Sequence, residues 1–418
     1  MTSMDVLWQT PFAGVPVDGV VSVPGSKSEA NRALLLAALS DGPSTIEGLP
    51  SSRDTSLMSD ALRAFGAVIN GASVTPPETF RGGSDIDCGL AGTVMRFAPP
   101  LAMLADGPSS FHGDARASER PVRPLVVALR ALGAAITADS VPFTLTPPKV
   151  WADGPVVIDA SGSSQFVSGL LLTGARFPNG LDLRHQGAAL PSRPHIDMTI
   201  AMLAEHGVTV AEPEPDHWSV APSTLRAVNA VVEPDLTNAA AFLLAGVLTG
   251  GRSAVDHWPV TTTQPGALIL GVIEAFGGWT RRDGSAMTAG ADGTLTGCDV
   301  DLSAASELTP VVAALAAVAS GTSRLTGVGH IRGHETDRLA AIHDALAAVG
   351  VPSTVDADGL TIQGGGARHG GVIDSSDDHR MVHLAALLGL VTPGVQVARA
   401  QAVAKTMPEF ITVWKSLA

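Results

Sequence analysis

Long apolar segments alternate along the chain with shorter amphipathic segments. The amphipathic segments carry apolar residues at helical spacing, and they end at Gly66, Gly133, Gly207, Gly277 and Gly350. A glycine after an apolar helical segment is a common C-terminal cap, because it adopts the left-handed conformation without a steric penalty from Cβ. The pattern therefore predicts helices that stop at these glycines and short strands that follow them.

The second set of segments is almost entirely apolar and predicts buried helices, each followed by a turn and a strand. The turn glycines are Gly42, Gly107, Gly180, Gly250, Gly321 and Gly394. Both sets recur with a period of about 70 residues, which indicates an internal structural repeat. The chain is therefore predicted to contain six copies of an α/β unit with two helices each, the last copy ending in PEFITVWKSL.

Six such copies exceed what one hydrophobic core holds, because domains usually split before about 250 to 300 residues. A polar, Pro-rich segment separates the third copy from the fourth, and we place a domain boundary near Val232 to Pro234. A solenoid would need polar capping repeats at both ends, which the sequence does not show. The expected architecture is thus two α/β domains of three copies each.

The composition argues against several classes of function for this protein. The net charge of −14 argues against nucleic acid as a partner, because phosphates are bound by basic surfaces. Two cysteines, Cys88 and Cys298, make neither a disulfide framework nor a zinc site and fit a reducing compartment. No apolar run approaches the roughly 20 residues of a membrane span, and no signal peptide pattern is present. We therefore expect a soluble cytoplasmic protein.

The apolar helices begin with polar residues, namely Ser28 to Arg32, Gly92 to Arg96, Ser163 to Gln165, Thr237 to Asn238, Ser306 to Glu307 and Asp377 to Arg380. N-capping explains the Ser, Thr, Asp and Asn residues, and it is the expected role of Thr237 and Asn238. It does not explain Arg32, Arg96 and Arg380, because a cation in the first turn opposes the helix dipole unless an anion lies beside it. Several such starts predict a site for small polyanions.

Seven motifs carry a resemblance to a known family. They are PGSKSEANRALLLAAL, LAGTVMR, ERP, SSQFVSGLLL, HETDRL, DDHRM and AKTMPEF. In this order they resemble the 5-enolpyruvylshikimate-3-phosphate (EPSP) synthases, or 3-phosphoshikimate 1-carboxyvinyltransferases, from about residue 20 to the C-terminus. The resemblance implies two inside-out α/β domains, each of three βαβαββ-type units around buried helices. It implies an N-terminal domain of residues 18–232 and a C-terminal domain of residues 1–17 plus 233–418.

The family transfers the enolpyruvyl group of phosphoenolpyruvate to the 5-hydroxyl of shikimate 3-phosphate and releases phosphate. The resemblance implies a phosphoenolpyruvate site of Lys27, Gly92, Arg120, Arg338, Arg380 and Lys405. It implies a shikimate 3-phosphate site of Lys27, Ser28, Arg32, Ser163, Ser164, Gln165, Ser192, Glu307 and His334. The N-terminal domain would then bind mainly shikimate 3-phosphate, and the C-terminal domain would hold the carboxylates and part of the phosphoenolpyruvate site.

The reaction requires an acid and a base among cations that stabilise developing charge. The resemblance assigns these roles to Lys27, Glu307 and Glu335, with Glu307 acting on the 5-hydroxyl and Glu335 on the C3 proton. It also implies competition by glyphosate beside Gly92. We expect no cofactor, no metal, no membrane and a monomer. The hinge near Val232 and a chain crossing near Val17 predict domain closure on substrate binding.

Some positions depart from the family pattern or have a structural explanation. Glu307 stands where many members have Asp, His195 where many have Tyr, and His334 where many have Lys. We expect Asp54 to be a helix cap and Cys88 to be a packing residue beside the LAGT motif. A group of histidines lacks partners at ligand spacing and is not expected to bind metal: His112, His206, His217 and His257.

Two alternative functions fit the sequence less well. The related transferase that adds enolpyruvate to UDP-N-acetylglucosamine places a cysteine on a mobile loop and lacks a PGSKS start, and neither feature fits this sequence. A metabolite-binding protein that has lost catalysis would need the cations but not the carboxylates. The presence of Lys27, Glu307 and Glu335 argues against that alternative.

Overall fold

The computed structural model describes residues 7–417. Contacts between Cα atoms divide the chain into two compact units. The first, which we call the N-terminal unit, is Gly25–Val232. The second, which we call the C-terminal unit, contains the described residues up to Pro24 together with Glu233 onwards.

The helices alternate between the two kinds that the hydrophobic pattern predicts. The α-helices are α1 (Lys27–Leu39), α2 (Arg53–Ala64), α3 (Gly92–Ala102), α4 (Arg123–Ala131), α5 (Gln165–Gly174), α6 (Pro194–Glu205), α7 (Leu236–Leu248), α8 (Ile269–Ala275), α9 (Thr309–Val318), α10 (Arg338–Ala348), α11 (His379–Leu390) and α12 (Phe410–Lys415). Short 3-10 helices span Ala115–Glu119, Pro265–Leu268, Ser306–Leu308, Gly329–Gly333 and Ala400–Lys405.

The strands are short, and every α-helix from α1 to α11 is followed by a strand. They are β1 (Trp8–Gln9), β2 (Asp18–Val21), β3 (Ser44–Glu47), β4 (Val68–Asn70), β5 (Ser73–Thr75), β6 (Asp85–Asp87), β7 (Ser109–His112), β8 (Ala135–Ile136), β9 (Phe143–Thr146), β10 (Val156–Ile158), β11 (Leu181–His185), β12 (Val210–Glu214), β13 (His217–Val220), β14 (Ala230–Val231), β15 (Arg252–Val255), β16 (Trp279–Asp283), β17 (Ala286–Gly290), β18 (Asp299–Asp301), β19 (Gly321–Thr326), β20 (Ser353–Val355), β21 (Leu360–Gly364), β22 (Val372–Asp374) and β23 (Gln396–Ala398).

Each unit contains three small sheets within the described residues. The N-terminal unit has sheets of strand order β14-β3-β5-β4, β6-β7-β9-β8 and β10-β11-β13-β12, and the C-terminal unit has β2-β15-β17-β16, β18-β19-β21-β20 and β1-β23-β22. In every four-stranded sheet the first two strands pair in parallel and the others pair antiparallel. A parallel pair requires a crossover, and in the pairs β6–β7, β10–β11 and β18–β19 this crossover contains the buried helix α3, α5 or α9.

One sheet in each unit borrows its first strand from a distant part of the chain. Strand β14 pairs with β3, and β2 pairs with β15 through a register that joins Asp18 to Arg252. The expected boundary after residue 17 is corrected to Pro24, because β2 belongs to the sheet of the C-terminal unit. The first six residues of the predicted C-terminal domain lie outside the described residues.

The apolar helices form the interior of each unit. Every residue of α1 from Ala30 to Leu39 is buried, and α3, α5, α7, α9 and α11 are buried along nearly their whole length. The amphipathic helices cover them with one face only. Gly66 and Gly133 end two of these amphipathic helices with φ of 102° and 108°, as the cap pattern predicts. Within residues 7–417, no helix combines the length and hydropathy of a membrane span.

Candidate active site

The N-terminal unit places Lys27 against a buried carboxylate. Lys27 is the first residue of α1, where the side chain of Ser26 caps the helix by accepting a hydrogen bond from the Glu29 amide. The Lys27 Nζ donates to Asp54 Oδ2 at 3.1 Å, and the Asp54 side chain is only 2% exposed. The cap of α2 is Ser52, so the expectation that Asp54 acts as a helix cap is wrong.

The start of α3 is lined by cations. A Cβ added to Gly92 would lie 2.7 Å from Arg96 Nη1, 3.0 Å from Arg120 Nη2 and 3.1 Å from Gln165 Oε1. Arg120 is fixed by its Nη1, which donates to the Leu90 carbonyl at 2.7 Å. Arg96 donates to the carbonyl of Gly92 and to Gln165 Oε1. Two guanidinium groups thus surround a helix N-terminus, an arrangement that favours an anion.

Arg32 is buried and also ties elements of the unit together. Its Nε donates to Thr199 Oγ1 at 2.8 Å, and its Nη1 donates to the Ser28 carbonyl at 2.8 Å. Its Nη2 donates to the carbonyl of His195 at 3.1 Å. Arg32 connects the first turn of α1 to α6, and its contact with shikimate 3-phosphate stays a prediction.

The predicted hydroxyl-bearing residues lie at the starts of α5 and α6. Ser163 Oγ accepts a hydrogen bond from the Gln165 amide at 3.3 Å, and Ser164 is the residue before α5. Ser192 is buried and has a φ of 50°, a strained conformation for a residue other than glycine. The Asn31 amide donates to Thr93 Oγ1 at 2.6 Å and joins the starts of α1 and α3.

The C-terminal unit holds Glu335 between two cations. Its Oε1 accepts from Lys405 Nζ at 3.0 Å, and its Oε2 accepts from Arg338 Nη2 at 2.6 Å. Both partners and Glu335 itself are nearly buried. Two charge-assisted hydrogen bonds hold this buried carboxylate in a defined position. Transfer of a proton to or from Glu335 would change the charge of this buried cluster.

Arg338 is in turn fixed by Asp378. The Arg338 Nε donates to Asp378 Oδ2 at 2.7 Å, and Asp378 is fully buried. Burial by itself lowers the pKa of Arg338, but Asp378 and Glu335 outweigh it and raise that pKa. The Asp378 carboxylate also accepts from the amide of Arg380 and so caps α11. Burial, with repulsion from Arg338, lowers the pKa of Arg380.

Glu307 lies on the 3-10 helix Ser306–Leu308 beside two histidines. Ser306 Oγ and His330 Nε2 are 2.9 Å apart, and the rings of His330 and His334 meet edge to face. Arg338 Nη1 donates to His334 Nδ1 at 2.8 Å, so His334 accepts there and is neutral. Burial and the positive charge of Arg338 both lower the pKa of His334 well below its usual value. The ring of His334 is therefore neutral beside the Arg338 guanidinium.

The family is decided by a comparison with known sequences. The family model of EPSP synthase, 3-phosphoshikimate 1-carboxyvinyltransferase, matches residues 12–414. The chain belongs to the EPSP synthase family. This confirms the resemblance that the seven motifs carry.

Solved structures of EPSP synthases and of a related enzyme share the fold. An EPSP synthase from Acinetobacter baumannii is similar at a TM-score of 0.78, with 24% identity over 98% of both chains. The enolpyruvyl transferase NikO from Streptomyces tendae is similar at a TM-score of 0.75, with 20% identity over 97% of this chain and 96% of that one. The predicted α/β fold of two three-repeat domains is confirmed by these matches.

Sequence reasoning missed several residues of this EPSP synthase family member. Asp54 and Asp378 are the buried carboxylates that fix Lys27 and Arg338. Asp378 had a signal in the DDHRM motif, since a residue before a buried helix is a natural cap. Asp54 had no comparable signal. It lies on the same helix as Asp60, whose side chain is exposed, and the sequence does not distinguish the two carboxylates. The sequence marks His330 as a substituted position without assigning it a role, and the tertiary structure places it beside Ser306.

Local geometry tests the structural roles predicted for Thr237, Asn238 and Cys88. The cap of α7 is Asp235, which accepts from the amides of Thr237 and Asn238, so neither of these two residues is the cap. Cys88 is fully buried, and burial, with the nearby Asp87, raises its pKa to about 12. A thiol of this kind is unreactive and packs beside the LAGT motif.

Proposed function

We propose that the chain transfers the enolpyruvyl group of phosphoenolpyruvate to the 5-hydroxyl of shikimate 3-phosphate and releases phosphate. The observation that carries this proposal is the Glu335 carboxylate held between Lys405 and Arg338. A binding protein for anions needs the two cations, but a carboxylate between them weakens anion binding. A catalyst that moves a proton at C3 of the enolpyruvyl group requires that carboxylate.

The charges of the substrates match the cations on each unit. Both substrates carry a carboxylate and a phosphate, so their approach in a site of low dielectric needs compensating positive charge. The N-terminal unit carries Lys27 and Arg120, and the C-terminal unit carries Arg338, Arg380 and Lys405. Two of the chain's four lysines are among these residues.

The hydroxyl and amide groups suit a polyol phosphate. Ser163, Ser164 and Gln165 at the start of α5 offer donors to phosphate oxygens, and the helix N-terminus adds its own amides. Ser192 precedes α6 and adds another hydroxyl. We assign shikimate 3-phosphate mainly to these residues of the N-terminal unit.

The proposed reaction is an addition followed by an elimination. In the addition, the oxygen of the 5-hydroxyl forms a bond to C2 of phosphoenolpyruvate, its proton passes to a base, and C3 gains a proton from an acid. In the elimination, C3 loses a proton, the double bond forms again, and the C2–O bond to phosphate breaks. Glu307 accepts the hydroxyl proton and Glu335 transfers the C3 proton, while Lys27 assists at either step.

Gly92 gives the space that phosphoenolpyruvate needs among Arg96, Arg120 and Gln165. We propose that glyphosate, which carries a carboxylate and a phosphonate, competes for this space. A methyl group at residue 92 would push the guanidinium ends of Arg96 and Arg120 aside. Gly92→Ala is therefore expected to raise the inhibition constant of glyphosate more than the KM of phosphoenolpyruvate, because the inhibitor is the longer molecule.

The direct test measures phosphate release from phosphoenolpyruvate with shikimate 3-phosphate, and in parallel with UDP-N-acetylglucosamine, in chelator-containing buffer. We expect release with shikimate 3-phosphate only. Release with the sugar nucleotide instead, or calorimetric binding of shikimate 3-phosphate without turnover, would contradict the proposal.

Glu335→Gln tests the observation that carries the proposal. It removes the group that transfers the C3 proton and keeps the shape of the side chain, so the single-turnover rate should fall by at least about 100-fold. Binding of shikimate 3-phosphate should remain. Asp337→Asn, two residues further along at an exposed helix cap, is the matched control. Single-turnover chemistry near the wild-type rate in Glu335→Gln would exclude this carboxylate as the proton carrier.

A further inference from the structure

The loop that carries Ser163 and Ser164 follows strand β10 and leads into α5. Strand β10 pairs in parallel with β11, and their register joins Ile158 to His185. His185 is the last residue of β11, so its ring lies beside the first residues of the loop. The structure therefore brings a histidine to the base of a loop predicted to bind phosphate.

The His185 ring makes hydrogen bonds to main-chain groups on two sides. The amide of Ala160 donates to His185 Nδ1 at 3.1 Å. His185 Nε2 lies 2.8 Å from the carbonyl oxygen of Ala188. The neutral tautomer with its proton on Nε2 satisfies both bonds. The Ile158 carbonyl, 3.2 Å from Nδ1, already accepts from the Gln186 amide and needs no bond from the ring.

The contact reaches the predicted ligand residues through Ala160. Ala160 is fully buried, so its amide has no water to replace His185. Its carbonyl accepts a hydrogen bond from the Ser163 amide at 3.0 Å. The order of bonds is thus His185 to Ala160 and Ala160 to Ser163, whose hydroxyl in turn accepts from the Gln165 amide.

A second set of contacts holds the same loop from the turn after β11. Ser161 Oγ donates to Asp159 Oδ1 at 2.6 Å and is 3.1 Å from the Ala188 carbonyl. A Cβ at Gly187 would come within 2.5 Å of Asp159 Oδ1 and 2.6 Å of Ser161 Oγ. The turn and the loop are therefore in close packing contact, and the His185 ring bridges them.

We propose that His185 is a positioning residue for the shikimate 3-phosphate site: its Nδ1 fixes the Ala160 amide and thereby sets the place of Ser163 and Ser164. This inference rests on the proposed function for its ligand. His185 touches no substrate in this scheme. It acts through the main chain of the loop, and the neutral imidazole is suited to that role because it offers one acceptor and one donor at opposite edges.

A neighbouring repeat of the N-terminal unit offers a comparison. His112 ends β7 as His185 ends β11, and its register partner Asp87 occupies the place of Ile158. The His112 ring is half-exposed and faces the carboxylates of Asp85 and Asp87, with its Nε2 3.3 Å from Asp85 Oδ1. The corresponding strand thus ends in a histidine in both sheets. His112 lies on the surface, whereas His185 holds a loop.

The test compares three substitutions at one position. His185→Leu removes both bonds, His185→Asn keeps an acceptor near the Nδ1 position, and His185→Gln keeps a donor near the Nε2 position. His112→Leu is the matched control. The dissociation constant of shikimate 3-phosphate is measured by calorimetry, KM and kcat by phosphate release, and exchange of the Ala160 amide by hydrogen exchange in the ligand-free protein.

We expect His185→Leu to weaken shikimate 3-phosphate binding about 5- to 100-fold, since a buried amide is left without an acceptor. The KM for phosphoenolpyruvate and kcat should change less than threefold, and Ala160 should exchange faster. His185→Asn should restore binding and protection, whereas His185→Gln and His185→Leu should behave alike in both. His112→Leu should match the wild type.

Two results would overturn the proposal. One is unchanged affinity or unchanged Ala160 exchange in His185→Leu. The other is His185→Asn binding no better than His185→Gln, since a merely structural ring would make the two equal. Wild-type protein that fails to bind shikimate 3-phosphate would instead contradict the proposed function and with it the ligand assignment, while exchange at Ala160 would still decide whether His185 holds the loop.

Discussion

Each unit pairs at least one predicted site cation with a buried carboxylate. Asp54 faces Lys27, Asp378 faces Arg338, and Glu335 faces Lys405. Removing one member of a buried pair leaves an uncompensated charge, which is strongly unfavourable. Each carboxylate thus holds its cation in position before any substrate is present.

Asp54→Asn tests this at Lys27. The amide keeps the shape but loses the charge-assisted hydrogen bond, so kcat should fall by about 10- to 100-fold, while the dissociation constant of shikimate 3-phosphate changes little. Asp54→Glu should recover part of kcat. Steady-state kinetics of both variants measure this. Asp60→Asn, on the same helix and exposed beside Arg63, is the control and should keep the wild-type kcat. Equal kcat in Asp54→Asn and the wild type would show that Lys27 needs no partner.

The Cys88 thiol is expected to be unreactive in the native protein. Burial and the neighbouring Asp87 raise its pKa to about 12, so almost no thiolate exists at neutral pH. A thiol reagent should therefore label the half-buried Cys298 before Cys88 in the native protein, and both after denaturation. Native Cys298→Ser protein that is labelled within minutes would contradict this assignment.

At the scale of the elements, the starts of the apolar helices are held together by close contacts. Helices α3 and α5 approach each other so closely that a Cβ at Gly169 would overlap the main-chain oxygen of Arg96. Helix α3 carries Gly92 and Arg96, and helix α5 carries Gln165. The contact between the two helices therefore sets the distance between these groups. A glycine inside α5 is therefore a requirement of packing and not of backbone conformation.

Gly169→Ala should lower the free energy of unfolding by about 1 to 3 kcal/mol, because overpacking forces the helices apart. It should also raise the KM of both substrates. Gly271→Ala is the control: this glycine lies in the exposed part of α8 with no atom within 4 Å of an added Cβ. There alanine should stabilise the protein by about 0.5 to 1 kcal/mol. Urea unfolding distinguishes the two, and a stabilising Gly169→Ala would show that α3 and α5 have room between them.

Across the whole molecule, several buried or half-buried histidines are held in the neutral form. Burial is the main cause that lowers the pKa of His206, His330, His334 and His383, and it lowers the pKa of His383 to about 3. His383 stacks on Phe410 at a centroid distance of 4.5 Å in the interior of the C-terminal unit. An unfolded histidine binds a proton near pH 6.5, so unfolding takes up protons below that pH.

The free energy of unfolding should therefore fall as the pH falls from 6.5, by at most about 1.4 kcal/mol per pH unit for each such histidine. His383→Phe keeps a ring against Phe410 and should reduce this dependence between pH 6.5 and 5. The exposed His369→Phe should leave it unchanged. Urea unfolding at the two pH values measures both, and an identical pH dependence in His383→Phe and the wild type would assign the effect to other groups.

The repeat, the two kinds of helix and the family can be predicted from the amino-acid sequence alone, because they depend on periodicity and on short motifs that are local in the chain. The sequence also indicated the cations at the helix starts, since an arginine in a first turn conflicts with the dipole unless an anion is bound. The tertiary structure alone decided which carboxylate faces which cation. Glu335 and Lys405 are 70 residues apart, and Arg338 and Asp378 are 40 apart. The tertiary structure also decided that β2 and β14 join sheets formed by distant segments, and that His185 lies beside the loop that follows β10. Strand pairing and side-chain packing bring together residues that are far apart along the chain, and no local sequence pattern indicates such contacts.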